Sequence, residues 1–304
     1  MSTTTTAFQP TPAHQLHNSQ SQSTTTTSKD LKIPRGSVTA PLSFYTPPED
    51  GSKPYNYAGP WADNPPHGIP RNFSSEDHDV TISDLRGQES SFNLDANAFA
   101  AVKNVPSAMK YRDWESDETI EKVYYAEVEK LLLDSLPGSS RIFLFDHTIR
   151  RPGTNRQPVS RVHIDQTAKS TQARVKHHLG DEAEELLKGR YRIVNVWRPL
   201  NGPVYASPLA VADSASVLDE DLVGVEHRYP DRTGETAAVK YNKSQKWYYW
   251  SGMENNERLF LKCYDSDELV GAHGRVPHTA FVDPRTPEGA PGRESIEVRA
   301  LVFG

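Results

Sequence analysis

The stretch Arg161-Val162-His163-Ile164-Asp165-Gln166-Thr167 reads as a β-strand. Strand side chains alternate, so Val162 and Ile164 take one face while His163 and Asp165 take the other. An imidazole and a carboxylate two residues apart on one face can grip one metal ion. Two His and one carboxylate on one side of an iron leave positions open for a cosubstrate and dioxygen. The third ligand must come from elsewhere. His278, in Val276-Pro277-His278-Thr279-Ala280-Phe281, is the leading candidate, with His227 and His273 as alternatives. His177 and His178 fall on a predicted helix and are expected to face solvent. A chain with 11 His and 40 acidic residues yields a His-x-acid triplet by chance, so the weight rests on the strand context.

Downstream of His278 comes Pro291-Gly292-Arg293-Glu294-Ser295, which opens a predicted strand. Ile296, Val298, Ala300 and Val302 alternate there with Ser295, Glu297 and Arg299. A guanidinium fork suits a bidentate pair with a carboxylate, and a hydroxyl on the same face adds a donor. Arg293 with Ser295 is therefore the expected anchor for a carboxylate-bearing cosubstrate. Arg299, deeper on that face, is the rival. Arg150 and Arg198 are expected to make surface ion pairs.

Composition narrows the class. The chain has 304 residues, 36% of them hydrophobic and a net charge of -6; part of the length is therefore expected outside the core. No basic run provides a nucleic-acid footprint, and no apolar run approaches a membrane span. Cys263 is the single cysteine, which fits a reducing, cytoplasmic setting. The partner expected is a small molecule, with neither nucleic acid nor membrane. The sequence sets no oligomeric state and is compatible with a homodimer.

Residues 1–30 are Thr/Ser/Gln-rich and are read as a disordered tail. Residues 31–79 combine prolines with Tyr45, Tyr55, Tyr57, Trp61 and Phe73 and read as an extended arm. Residues 80–304 form the expected domain. Leu94 to Val102 has mostly helical spacing. A clearer helix starts at Ser116 or Asp117, carries Ile120, Val123, Tyr124, Val128, Leu131 and Leu132 as its stripe, and stops at Pro137-Gly138. A further helix spans residues 172–188, bent near Gly180. From Arg141 onward the pattern is otherwise strands with Gly/Pro turns. The fold class is mainly β, a double-sheet barrel with flanking helices.

Several blocks together resemble one family. They are Phe145-Asp146-His147-Thr148-Ile149-Arg150-Arg151, Val162-His163-Ile164-Asp165, Asn195-Val196-Trp197-Arg198-Pro199-Leu200, Leu261-Lys262-Cys263-Tyr264-Asp265-Ser266, Pro277 to Phe281, and Arg293 to Arg299. The chain resembles the fungal hydroxylase/desaturase group that includes the AsaB and NvfI proteins, iron(II)- and 2-oxoglutarate-dependent oxygenases. The resemblance covers about residues 80–304. It implies a double-stranded β-helix, or jelly roll, with His163, Asp165 and His278 on iron(II). It places Arg293 and Ser295 on 2-oxoglutarate. It also implies consumption of O2, release of succinate and carbon dioxide, and hydroxylation or desaturation of a small secondary metabolite. Asp165 argues against a halogenase, which needs that ligand position for halide. Tyr111, Trp197, Trp247 and Tyr248 are candidates to line the substrate mouth. The competing classes are a non-redox metal enzyme on a cupin-like barrel, which needs no Arg-x-Ser anchor, and an inactive binding protein of the same fold.

Overall fold

The computed structural model describes residues 31–304, apart from the side chains of Ala272 and His273. The expected tail, residues 1–30, and the alternative ligand His273 lie outside that description. The strands are β1 Val38–Thr46, β2 Tyr55–Tyr57, β3 Ser74–Asp84, β4 Phe99–Val102, β5 Arg141–Arg150, β6 His163–Ile164 and β7 Tyr191–Pro199. They continue with β8 Leu209–Ala212, β9 Leu222–Arg228, β10 Thr233–Val239, β11 Trp247–Tyr249, β12 Arg258–Asp265, β13 His278–Ala280 and β14 Ser295–Phe303. A nine-stranded sheet has the order β1-β3-β11-β8-β13-β6-β10-β9-β2, and a five-stranded sheet the order β4-β12-β7-β14-β5. This is the expected mainly β jelly-roll architecture.

Alternation in the five-stranded sheet sorts its two faces. Val194, Val196, Phe260, Ile296, Val298 and Ala300 point outward and pack with Ile120, Tyr124, Val128 and Leu132. Those four belong to the expected helical stretch, capped by the Ser116 side chain and ending in α1 Tyr125–Ser135. Ile193, Trp197, Leu259, Leu261, Leu301 and Phe303 point inward to the main core. Every residue of β7 is buried, as a strand covered on both faces requires. Asn195, Glu297 and Arg299 interrupt the apolar inner face, and the candidate site is built on them.

Two local expectations change. The stretch 94–102 is helical only over Leu94–Asn97; Ala98 is left-handed, and Phe99–Val102 pairs with β12 instead. Tertiary strand pairing overrides the local helical spacing. Residues 31–79 are not a separate arm, since β1 pairs with β3 over its whole length and β2 pairs with β9. A boundary at 79/80 cuts through β3. Alternation in β1, with Val38, Ala40, Leu42 and Phe44 buried, carries the strand signal, which the surrounding prolines obscure. The helix α2 runs Ala168–Leu179, ends at Gly180 with φ 50°, and resumes as a short turn at Ala183–Leu186, so the expected bend is present.

Candidate active site

β6 and β13 lie side by side, with His163 directly opposite His278. Each imidazole faces a backbone carbonyl through Nδ1: His163 reaches Arg161 at 2.8 Å and His278 reaches Val276 at 3.1 Å. A carbonyl only accepts, so Nδ1 carries the proton and the Nε2 lone pair is free for a metal. Asp165 lies just beyond the end of β6. Its Oδ2 accepts from Asn195 Nδ2 at 2.9 Å and from Arg299 Nε at 3.2 Å. Its Oδ1 is left facing His163 Nε2 at 3.4 Å and His278 Nε2 at 3.8 Å. Ligand atoms of all three side chains lie within 4.8 Å of one another, the only such cluster of three or more His, Cys, Asp or Glu among the described residues.

The electrostatics follow from burial and from Arg299. Burial opposes ionisation of Asp165, but Arg299, His163 and His278 hold its carboxyl well below the usual range. Burial pushes His278 down to about 4, and His163 adds to the effect; both favour the neutral, ligating imidazole. Arg299 is stripped of water, yet Glu297, Asp165 and Asp146 keep it firmly charged. Its Nη2 meets Glu297 at 2.7 Å and its Nη1 meets Asp146 at 2.9 Å.

Arg293 contrasts with it. Arg293 is 4% exposed and precedes β14, so strand alternation does not place it. Its Nη1 donates to the Ser207 carbonyl at 2.6 Å, and its guanidinium sits 5.2 Å over the Trp197 ring. Its Nε is buried without a partner, and no carboxylate of the described residues lies within 4.0 Å. Burial, with Arg150 nearby, pushes the guanidinium down to about 9. A buried cation without a counterion fits an anion site. Ser295 is buried at the start of β14, opposite Arg150 and Pro199.

The matching family is described as an Oxidoreductase/YMDC permease-like domain and spans residues 42–303. A hydroxylase/desaturase of Penicillium oxalicum, poxK, is 37% identical over 89% of this chain and 92% of its own length. The Fe(II)/2-oxoglutarate-dependent dioxygenase nvfI of Aspergillus novofumigatus is 34% identical over 77% of this chain and 86% of its own. A solved structure of a variant of the iron and alpha-ketoglutarate-dependent endoperoxidase NvfI superposes with TM-score 0.81 at 29% identity, covering 90% of this chain and 99% of that one. This chain belongs to the fungal iron(II)- and 2-oxoglutarate-dependent oxygenases.

In this oxygenase the remaining sequence candidates fall in different places. Trp197 shares the inner face with Asn195 and stacks under Arg293. Trp247 does not reach the triad's face. It pairs with Ala212, whereas Tyr248 and His278 both pair with Val211. Cross-strand partners share a face, so Tyr248 stands on the His278 side and Trp247 on the other, edge-on to Phe44. Tyr111 lines an open cleft of about 270 Å³ with Trp114 and Arg198, a cleft none of the triad lines. Its hydroxyl donates to Glu294 at 2.8 Å. His227 is occupied on both nitrogens, by Thr236 and Asn56, and is unsuited to a metal. His178 does not face solvent; it stacks on Phe145. Arg198 forms no surface ion pair either, being buried against Trp114 and Tyr124. Arg150 donates to the Gln157 carbonyl at 2.8 Å rather than to an acid. Reasoning from the sequence missed Arg299 and Asn195 as the pair that orients Asp165. Their parity with Trp197 and Glu297 was the available signal.

Proposed function

We propose that His163, Asp165 and His278 bind one iron(II), and that Arg293, assisted by Ser295, receives the far carboxylate of 2-oxoglutarate. The free Nε2, Nε2 and Oδ1 atoms, converging within 4.8 Å, carry this reading. When bound, iron with 2-oxoglutarate and O2 supplies an oxidant for an unactivated C–H bond and releases succinate and carbon dioxide. The protein's residues bind, orient and shield. The two carbonyls fix both imidazole tautomers. Asn195 and Arg299 hold Asp165 Oδ2 so that Oδ1 alone is presented. Such supporting hydrogen bonds are worth about 10–100-fold in metal affinity. Trp197 walls the Arg293 guanidinium, excluding water from its pairing. The substrate is a small organic metabolite, and the outcome is a hydroxylation, desaturation or related oxidation of the kinds named for the relatives. The setting is read as cytoplasmic. Among the described residues no helix is long and apolar enough to cross a membrane. A metal-dependent enzyme without redox chemistry would give the unpaired Arg293 no task.

The test is anaerobic addition of iron(II) and 2-oxoglutarate. Wild-type protein is expected to show the visible charge-transfer band of a chelated 2-oxo acid at one iron per chain. His278→Ala is expected to lose the band, and Arg293→Ala to need more 2-oxoglutarate to reach it. A wild-type protein that binds metal but gives no band rejects the oxygenase site.

A further inference from the structure

Two more buried guanidiniums lack an acid, and they lie on the opposite face of the five-stranded sheet from the candidate site. β7 sends Trp197 inward to Arg293 and the next residue, Arg198, outward. Val196 and Phe260 mark that outer face. Leu259 pairs with Trp197, so Arg258 and Arg198 stand opposite each other on adjacent strands. Like charges in that position repel. Arg198 is 5% exposed and Arg258 1% exposed. Neither has a carboxylate of the described residues within 4.0 Å.

Their surroundings leave hydrogen-bonding capacity over. The Arg198 guanidinium sits 4.9 Å over Trp114 and 5.5 Å over Tyr124, and Arg258 sits 5.9 Å over the same Tyr124 ring. Arg258 Nη1 donates to the Asn255 and Glu257 carbonyls at 2.8 and 3.0 Å. Arg198 Nε reaches the Pro199 carbonyl at 3.3 Å. Arg198 Nη1 and Arg258 Nη2 are buried without a partner. Burial pushes the Arg198 guanidinium down to about 10, with Tyr124 opposing and Arg258 adding to the fall. Glu127 acts on it from further off, and its Oε1 accepts from the Ala108 N–H at 2.6 Å. Glu294 is engaged by the Tyr111 hydroxyl and by Arg151.

Arg198 also has open space beside it. It lines the cleft of about 270 Å³ together with Val105, Pro106, Met109, Trp114 and Leu200, and Asn256 stands in the same wall. A buried cation without a counterion, opening on a partly apolar cleft, fits an amphiphilic anion. One lining cation suits a monoanion. A guanidinium with its face on Trp114 presents its edge, which matches a planar carboxylate.

We infer that this cleft is a second, non-catalytic site for a small monocarboxylate, its charged end on Arg198 and its short apolar body on Val105, Met109 and Leu200. The cleft and the triad lie on opposite faces of β7, so the molecule bound here is not the one oxidised.

Calorimetry on the full chain with excess manganese(II) and 2-oxoglutarate, without O2, tests this. Hexanoate and 3-phenylpropionate are the probes, and their amides are the uncharged matches. Wild type is expected to prefer at least one acid over its amide by about tenfold or more, the worth of one charge-assisted bond. Arg198→Gln should remove most of that preference, and Arg198→Lys should keep part of it. Asn256 is exposed, and Asn256→Asp adds a like charge to the cleft wall without changing its shape. It should cut the preference severalfold, and it carries the test should Arg198→Gln fail to fold. Equal binding of acid and amide by wild type, or no binding of either acid, overturns the inference. So does a preference that survives both Arg198→Gln and Asn256→Asp. A preference lost in Arg293→Gln but kept in Arg198→Gln belongs to the candidate active site and overturns it as well.

Discussion

The two arginines of the last strand region, Arg293 at its mouth and Arg299 in its middle, are the same residue type six positions apart with opposite surroundings. Arg299 is bonded to Asp146, Asp165 and Glu297. Arg293 has a backbone carbonyl, an aromatic face and no acid. Both are buried, so both lost the hydration of their charge. Only one has recovered it within the protein. A saturated buried cation is part of the framework, and an unsaturated one marks where a ligand completes the structure. Arg299 is saturated within the protein and Arg293 is not, which is why Arg293 is the one proposed as the anchor.

The largest expected effect is at the carboxylate that Arg299 orients. Asp165→Ala should abolish both stoichiometric iron binding and succinate formation; a fully active variant would break the comparison at its root. Arg299→Met should come next. It leaves Glu297 and Asp165 buried without their cation, and removing one partner of a buried pair costs about 3–5 kcal/mol. Urea denaturation should show that loss, together with weakened iron binding. A variant with wild-type stability would mean that Arg299 is no more structural than Arg293.

Arg293→Ala should do the reverse. Stability of the cosubstrate-free protein should hold or rise, because an uncompensated charge is removed. The 2-oxoglutarate requirement should rise about tenfold to a hundredfold, as expected for about 1.5–3 kcal/mol. Arg293→Lys should rescue only part, since an ammonium keeps the charge but loses the fork. If Arg299→Ala gives the selective cosubstrate defect and Arg293→Ala does not, the assignment is reversed. The smallest effect is expected from deleting residues 1–30. Melting temperature and turnover should stay within error, and a large fall in either would tie that segment to the domain.

Much of this was legible in one dimension. Alternation in residues 295–303 and 191–199, the helical stripe from Ile120 to Leu132, and the Gly180 bend all follow from local periodicity and backbone preference. His163 and Asp165, two members of the His/Asp/His cluster, are legible as a triplet in a strand context. Prolines and aromatics between residues 38 and 79 hide an alternation that only pairing with β3 and β9 makes meaningful.

The sequence by itself determined the element types, the strand that carries His163, and an inventory of acids, imidazoles and guanidiniums rich enough for an iron oxygenase. Tertiary structure decided the selection among them. His278 rather than His227 joins the triad, because β13 lies beside β6 while both His227 nitrogens are hydrogen-bonded. Tyr248 rather than Trp247 shares the His278 face, because register with β8 sets it. Arg299 rather than Arg293 is neutralised, because three acids from β5, β14 and the end of β6 converge on it. Periodicity fixes which side of an element a residue occupies. Which distant side chains meet there is set by sheet order and register, and these arise from non-local pairing that local spacing does not encode.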